Sequence, residues 1–125
     1  MSTKHKIIVT ADPFFIGEQS LPDQKHYVFG YAISITNEGS VPVQLLQRHW
    51  LITDANGKIQ EVQGDGVIGE QPYLKSGETF RYTSGAILET PVGIMQGHYT
   101  MRSDDGDDFK AIIPQFTLSI PRVLH

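Results

Sequence analysis

Three glycines, Gly64, Gly66 and Gly69, carry the spacing G-x-G-x-x-G. That pattern holds the pyrophosphate of a dinucleotide when a strand leads into it and a helix leads out. Here Glu70-Gln71-Pro72-Tyr73-Leu74-Lys75-Ser76-Gly77 follows, and a proline and a glycine so close together leave no room for a helix. What remains is a loop whose own N–H groups could surround an anion as a nest, with Arg48 as a cationic partner. The plainer use of the same glycines is a tight turn or close backbone packing. Asp65, inside the motif, repels an anion unless its carboxylate turns away.

A second cluster is Ser103-Asp104-Asp105-Gly106-Asp107-Asp108, in which Asp104, Asp105, Asp107 and Asp108 crowd together. Carboxylate oxygens suit a hard divalent cation, yet the spacing and distal Glu of an EF-hand are missing. Between two alternating stretches the segment reads as a solvated hairpin tip, since Asp-Gly favours a turn. Any cation affinity is then on the order of millimolar.

Arg48-His49-Trp50 is the third. On a strand, Arg48 and Trp50 share one face and His49 takes the other. Trp50 then resembles the inward tryptophan of many β-sandwiches. Arg48 beside it is half-buried, its stem on aromatic neighbours and its head on a carboxylate or carbonyl. His49, with Tyr73 and Tyr82 beside the glycine loop, forms a candidate partner surface. His5, His26, His98 and His125 sit on separate segments, and no nucleophile–base pattern assembles from sequence order. No catalytic residue and no cofactor is expected.

These residues must be held by strands. Tyr27, Phe29, Tyr31, Ile33 and Ile35 alternate with small or polar residues, which is a strand with one face in a core. A second strand runs from Val43 to Thr53, and its apolar phase switches near Leu45-Leu46, which predicts a β-bulge. Asp54-Ala55-Asn56-Gly57 signals a hairpin, with Asn-Gly supplying two residues at positive φ. Further strands are expected at Lys6–Thr10 (closed by Asp12-Pro13), Ile59–Gln63, Thr79–Gly85, Gly97–Arg102 and Phe109–Ile120. Pro114 in the last implies an edge position or a bend. No stretch keeps helical apolar spacing. The expectation is an all-β, antiparallel sandwich of immunoglobulin or fibronectin-III type with seven or eight strands, residues 1–125 forming one domain. A closed barrel is the competing architecture.

Composition narrows the classes. A chain of 125 residues buries roughly two thirds of its unfolded surface and needs no metal or disulfide staple. It has no cysteine, which removes disulfides, thiolate chemistry and iron–sulfur clusters. The net charge of −4, with scattered Lys and Arg, argues against nucleic acid. Ile7-Ile8-Val9 is too short for a signal-peptide core or a membrane span, so a cytoplasmic protein without membrane insertion is expected.

In order along the chain, several runs resemble the ApaG family. They are Gln19-Ser20, Tyr31-x-Ile33-x-Ile35-x-Asn37, Gln44-Leu45-Leu46-x-Arg48-His49-Trp50-x-Ile52-Thr53-Asp54 and Asn56-Gly57. The match continues through Val62-x-Gly64-x-Gly66-Val67-x-Gly69-x-x-Pro72, Gly77-Glu78-x-Phe80-x-Tyr82-Thr83-Ser84-Gly85, Met95-x-Gly97-x-Tyr99-x-Met101 and Ile113-Pro114-x-Phe116-x-Leu118-x-x-Pro121. Ile68 and Ile94 are mild departures. The resemblance implies a fibronectin-III-like sandwich and a role tied genetically to cobalt tolerance and magnesium efflux. Similar domains occur in F-box proteins and a polymerase-interacting protein, which implies a binding module. The expectation is a non-enzymatic interaction protein that affects divalent-cation homeostasis through an unknown protein partner. Nucleotide or polyphosphate binding at Gly64–Gly69 is the alternative, and direct cation binding at Asp104–Asp108 a third possibility.

Overall fold

The computed structural model describes residues 4–121. Eight strands follow in order: β1 (Ile7–Phe15), β2 (Tyr27–Asn37), β3 (Val43–Asp54), β4 (Ile59–Asp65), β5 (Tyr73–Leu74), β6 (Thr79–Leu88), β7 (Val92–Ser103) and β8 (Asp108–Ser119). Helix among the described residues is confined to two 3-10 turns, Gly17–Gln19 and Pro22–Gln24. The smaller sheet has the order β1-β2-β6, and the larger has β4-β3-β7-β8 with β5 also pairing β3. All pairings are antiparallel. The architecture is the expected sandwich, not a closed barrel.

Strand alternation builds the core. From β2, Phe29, Tyr31, Ile33 and Ile35 point inward; from β3, Val43, Leu45, Trp50 and Ile52; from β7, Met95, Tyr99 and Met101. Burying side chains of this size is worth roughly 1.5–3 kcal/mol each before the entropy of ordering is set against it. Trp50 is 2% exposed, with ring centres 5.4 Å from Tyr31, 5.9 Å from Phe116 and 6.3 Å from Tyr99. The β3–β7 register slips between Leu45 and Gln47, so Leu46 is the bulged residue that the phase switch foretold.

Some boundaries differ from those the sequence pattern implies. β1 runs through Asp12-Pro13 to Phe15 because β1 is an edge, where the missing N–H of Pro13 costs no ladder bond. Pro114 also lies on an edge strand, beside a second register slip between Met95 and Gly97. At Asp54–Gly57 only Gly57 has positive φ, +84°; it closes a turn onto the Asp54 carbonyl. The Asp54 carboxylate accepts from the Asn56 and Lys58 amides, so an Asx turn replaces the expected pair of left-handed residues. One side of the sandwich is closed where β1 leans on β8. On the other side β4 and β6 part, bridged by Lys58 Nζ to Glu89 Oε1 at 2.8 Å and Gln60 Nε2 to the Ile87 carbonyl at 3.3 Å.

Candidate functional site

The glycine motif divides between a strand and a turn. Gly64 is a residue of β4 paired with Arg48, not part of the loop. A Cβ there would lie 2.7 Å from Arg48 Nη1, so the glycine makes room for the guanidinium. Arg48 Nη1 donates to the carbonyls of Asp65 and Gly66, each at 3.1 Å, the carbonyl partners its half-buried position called for. Gly66 sits at φ +62° and its N–H donates to the Leu46 carbonyl at 2.8 Å. Val67 and Glu70 exchange N–H to carbonyl bonds at 2.8 and 2.9 Å, with Ile68 (φ +43°) and Gly69 (φ +79°) between them. Two successive positive-φ residues make the I′ kind of two-residue turn. No helix follows Gly69 among the described residues. Val67, 1% exposed, roots the turn in the core. The loop's amides at Gly66, Val67 and Glu70 are therefore engaged within the chain.

The acid cluster is the β7–β8 hairpin tip, closed by Gly106 N–H to the Ser103 carbonyl at 2.9 Å. Its four carboxylates divide among three partners, Tyr73, Arg102 and Lys4. Asp104 accepts from the Tyr73 hydroxyl at 2.7 Å, and Asp108 holds Arg102 by two bonds at 2.7 and 3.0 Å. Asp105 and Asp107 converge on Lys4 Nζ at 2.5 and 2.7 Å. His5, stacked on Phe109 at 4.1 Å, brings Nε2 to 4.0 Å from Asp107. Oxygen and nitrogen atoms of His5, Asp105 and Asp107 lie within 4.8 Å of one another, the geometry closest to a metal site among the described residues. The Lys4 ammonium already supplies positive charge there. Hydrogen bonding to Lys4, then to Ser103, holds the Asp105 carboxyl below its usual pKa, and Arg102 does the same for Asp108. Asp104 and Asp108 stand apart from this grouping.

On the outer face of the larger sheet, a concavity of about 510 Å³ lies over β4, β3, β7 and β8. Its walls include Arg48, His49, Gly64, Asp65, His98 and Lys110. His49 and His98 are cross-strand partners with ring centres 5.0 Å apart, and His49 Nε2 lies 3.1 Å from Glu61 Oε2. Loss of solvent, with lesser repulsion from Lys110 and His49, lowers the His98 pKa. A second hollow of about 410 Å³ shares both imidazoles and continues to Ile112 and Pro114. His49 thus points outward as expected. Sequence order sets His98 on a segment of its own, because its pairing with His49 needs the β3–β7 register.

Tyr73 is exposed on β5, as a partner surface requires. Tyr82 is not: it is 7% exposed, and its hydroxyl pairs with that of Tyr99 at 2.5 Å. Burial pushes both phenols upward, since neither can ionise without leaving a charge in the core. Tyr82 is a core residue and lines no groove beside the glycine loop.

Fold and site together define a two-sheet β-sandwich whose chemistry-bearing loops bond largely within the chain, with an open face over the larger sheet. The family model described as the ApaG domain matches residues 17–103, and the chain belongs to the ApaG family. Protein ApaG of Aromatoleum aromaticum is 57% identical over 99% of this chain and 98% of its own length. Protein ApaG of Thiobacillus denitrificans is 55% identical over 98% of this chain and 96% of its own. A crystal structure of the ApaA protein from Bordetella pertussis superposes with TM-score 0.95 at 46% identity, covering 98% of this chain and all of that one. No helix among the described residues is long and apolar enough to cross a membrane.

Proposed function

We propose that this chain is a non-enzymatic, cytoplasmic protein-interaction module that acts on divalent-cation homeostasis through its partner. The observation that carries the reading is the outer face of the larger sheet. There His49 and His98 form the common wall of two hollows, and Ile112 stands 65% exposed at the rim of one of them. An exposed apolar side chain surrounded by polar groups is the composition of a protein-binding patch, an apolar centre within a polar rim. Arg48 and Gly64 line the first of these hollows, while Gly66, Gly69 and Tyr73 lie outside both. Affinity capture from lysate with the wild type and with Ile112→Glu tests it. The wild type retains a stoichiometric partner that the variant loses at least tenfold; a wild type that retains none refutes the reading.

A second reading, nucleotide or polyphosphate binding, draws on the basic side chains of one hollow, Lys110 and, when protonated, His49 and His98, with Arg48 at its border. It predicts that pyrophosphate moves the amide resonances of Gly64, Gly66 and Gly69 at sub-millimolar concentration. Resonances unmoved at about 5 mM, an affinity weaker than roughly −3 kcal/mol, eliminate it.

A further inference from the structure

Five strands have an open edge: β1 and β6 in the smaller sheet, β4, β8 and the two-residue β5 in the larger. Exposed edges invite pairing with another chain, and proteins blunt them with proline, charge, bulges or shortness. β1 carries Pro13 and leans on β8, and β8 carries Pro114 beside a register slip. β4 is only seven residues long, with Glu61 and Asp65 on its outward face. β6 has the fewest of these devices: ten residues without proline, acid or register slip, and a single charge, Arg81.

The ladder shows which backbone groups of β6 are free. The Asn37 N–H donates to the Glu78 carbonyl, so even-numbered residues of β6 pair with β2 and odd-numbered ones face away. The outward Ile87 carbonyl, already taken by Gln60 Nε2, obeys the same parity. Thr79, Arg81, Thr83 and Gly85 therefore present N–H and C=O groups in one open row. Beside that row, where β6 and β4 part, runs a groove of about 540 Å³ walled by Phe29, Ile52, Val62, Ala86 and Ile87.

We propose that β6 takes up an extended segment of a partner protein as an added strand, with its backbone on Thr79–Gly85. The proposal rests on the protein-interaction reading and specifies a second surface and the conformation of what docks there. Side chains of an added strand alternate between faces. One set enters the groove and must be apolar. The other lies on the outer face of the smaller sheet, where one member meets Arg81. No carboxylate lies within ion-pair distance of Arg81 among the described residues. The partner segment is thus β-prone, apolar at alternate positions, and carries Asp or Glu opposite Arg81. A second copy of this chain fits less well: β6 contains no acid, and Glu89 just beyond its end is already held by Lys58.

The test selects a displayed random 12-residue peptide library on the intact protein and then titrates a synthetic copy of the most enriched peptide. The expected peptide alternates apolar and polar residues with an acid among them. It protects the amides of Thr79, Arg81, Thr83 and Gly85 from exchange, and it binds at least tenfold more weakly to Thr83→Pro and to Arg81→Glu. The first variant removes an N–H that the β2 ladder does not use; the second leaves the backbone untouched and covers the case in which proline unfolds the strand. Enriched peptides that move His49, His98 and Ile112 while β6 stays unprotected overturn this proposal and leave the interaction reading standing. A concentration-dependent dimer with protected β6 amides also overturns it, by naming a second copy as occupant. A library that yields no enriched peptide overturns it too, and lysate capture then decides the broader reading separately.

Discussion

The glycine loop and the acid loop each carry residues able to hold a ligand, and each satisfies those residues internally by a different route. At Gly66–Glu70 the backbone does it: amides close onto Leu46, Glu70 and Val67, and Arg48 caps two carbonyls. At Ser103–Asp108 the side chains do it, through Lys4, Tyr73 and Arg102. Backbone closure in a core-rooted turn is stiff and sensitive to a single added carbon. Side-chain closure on an exposed tip is soft, screened by salt and dispensable. A motif's residue types are therefore poor guides to ligand binding until their existing partners are known.

Substitutions sharpen this contrast. The largest effect is expected for Gly66→Ala, because the new Cβ lies 2.1 Å from the Glu70 carbonyl oxygen at φ +62°. A loss of roughly 2–3 kcal/mol should appear in urea denaturation. Gly64→Ala comes next. Its Cβ displaces only the flexible head of Arg48, and losing two carbonyl bonds costs roughly 1–2 kcal/mol. Gly69→Ala, at φ +79° with open space around it, should cost about 1 kcal/mol of backbone strain. Equal losses at Gly66 and Gly69 would break the claim that packing against Glu70 governs the loop.

The smallest effect belongs to the acid loop and is read through pH. Asp105 and Asp108 have lowered pKa values in the folded state. Their contribution is therefore complete above the ordinary carboxylate value of 3.8 and disappears as pH falls through the lower folded values. Urea midpoints measured from neutral pH down to about pH 2.5 should show this acid limb, shallower in Lys4→Gln with Arg102→Gln. An unchanged limb in that double variant would mean that these carboxylates have no share in acid stability.

Much of the scaffold was legible because alternation is local. Tyr27 to Ile35 announce an inward face without reference to any other strand, and the slip at Leu45-Leu46 announces its bulge. The sequence alternation of β7 shows only from Gly97, because Gly93 places no side chain on the inner face and hides the alternation of its first half. There a Cβ would strike Leu88 at 2.6 Å and the Thr53 carbonyl at 2.8 Å. β5 is two residues long and exists through its pairing with Val43 and Gln44. The site was less legible still. Gly64 is glycine because Arg48 lies across from it, and His49 meets His98 only once the β3–β7 register is set. Such facts live in pairings between distant segments, which periodicity along one segment does not encode.

Trp50 is the one tryptophan of the chain, and it is sealed among Tyr31, Tyr99 and Phe116. Its ring contacts side chains from both sheets, so any parting of the two layers changes the polarity around the indole. Intrinsic fluorescence consequently serves as a built-in gauge of sandwich integrity: blue-shifted emission while the layers are closed, red-shifted once solvent enters. A variant at the surface can thus be separated optically from one that loosens the interior, with no label attached.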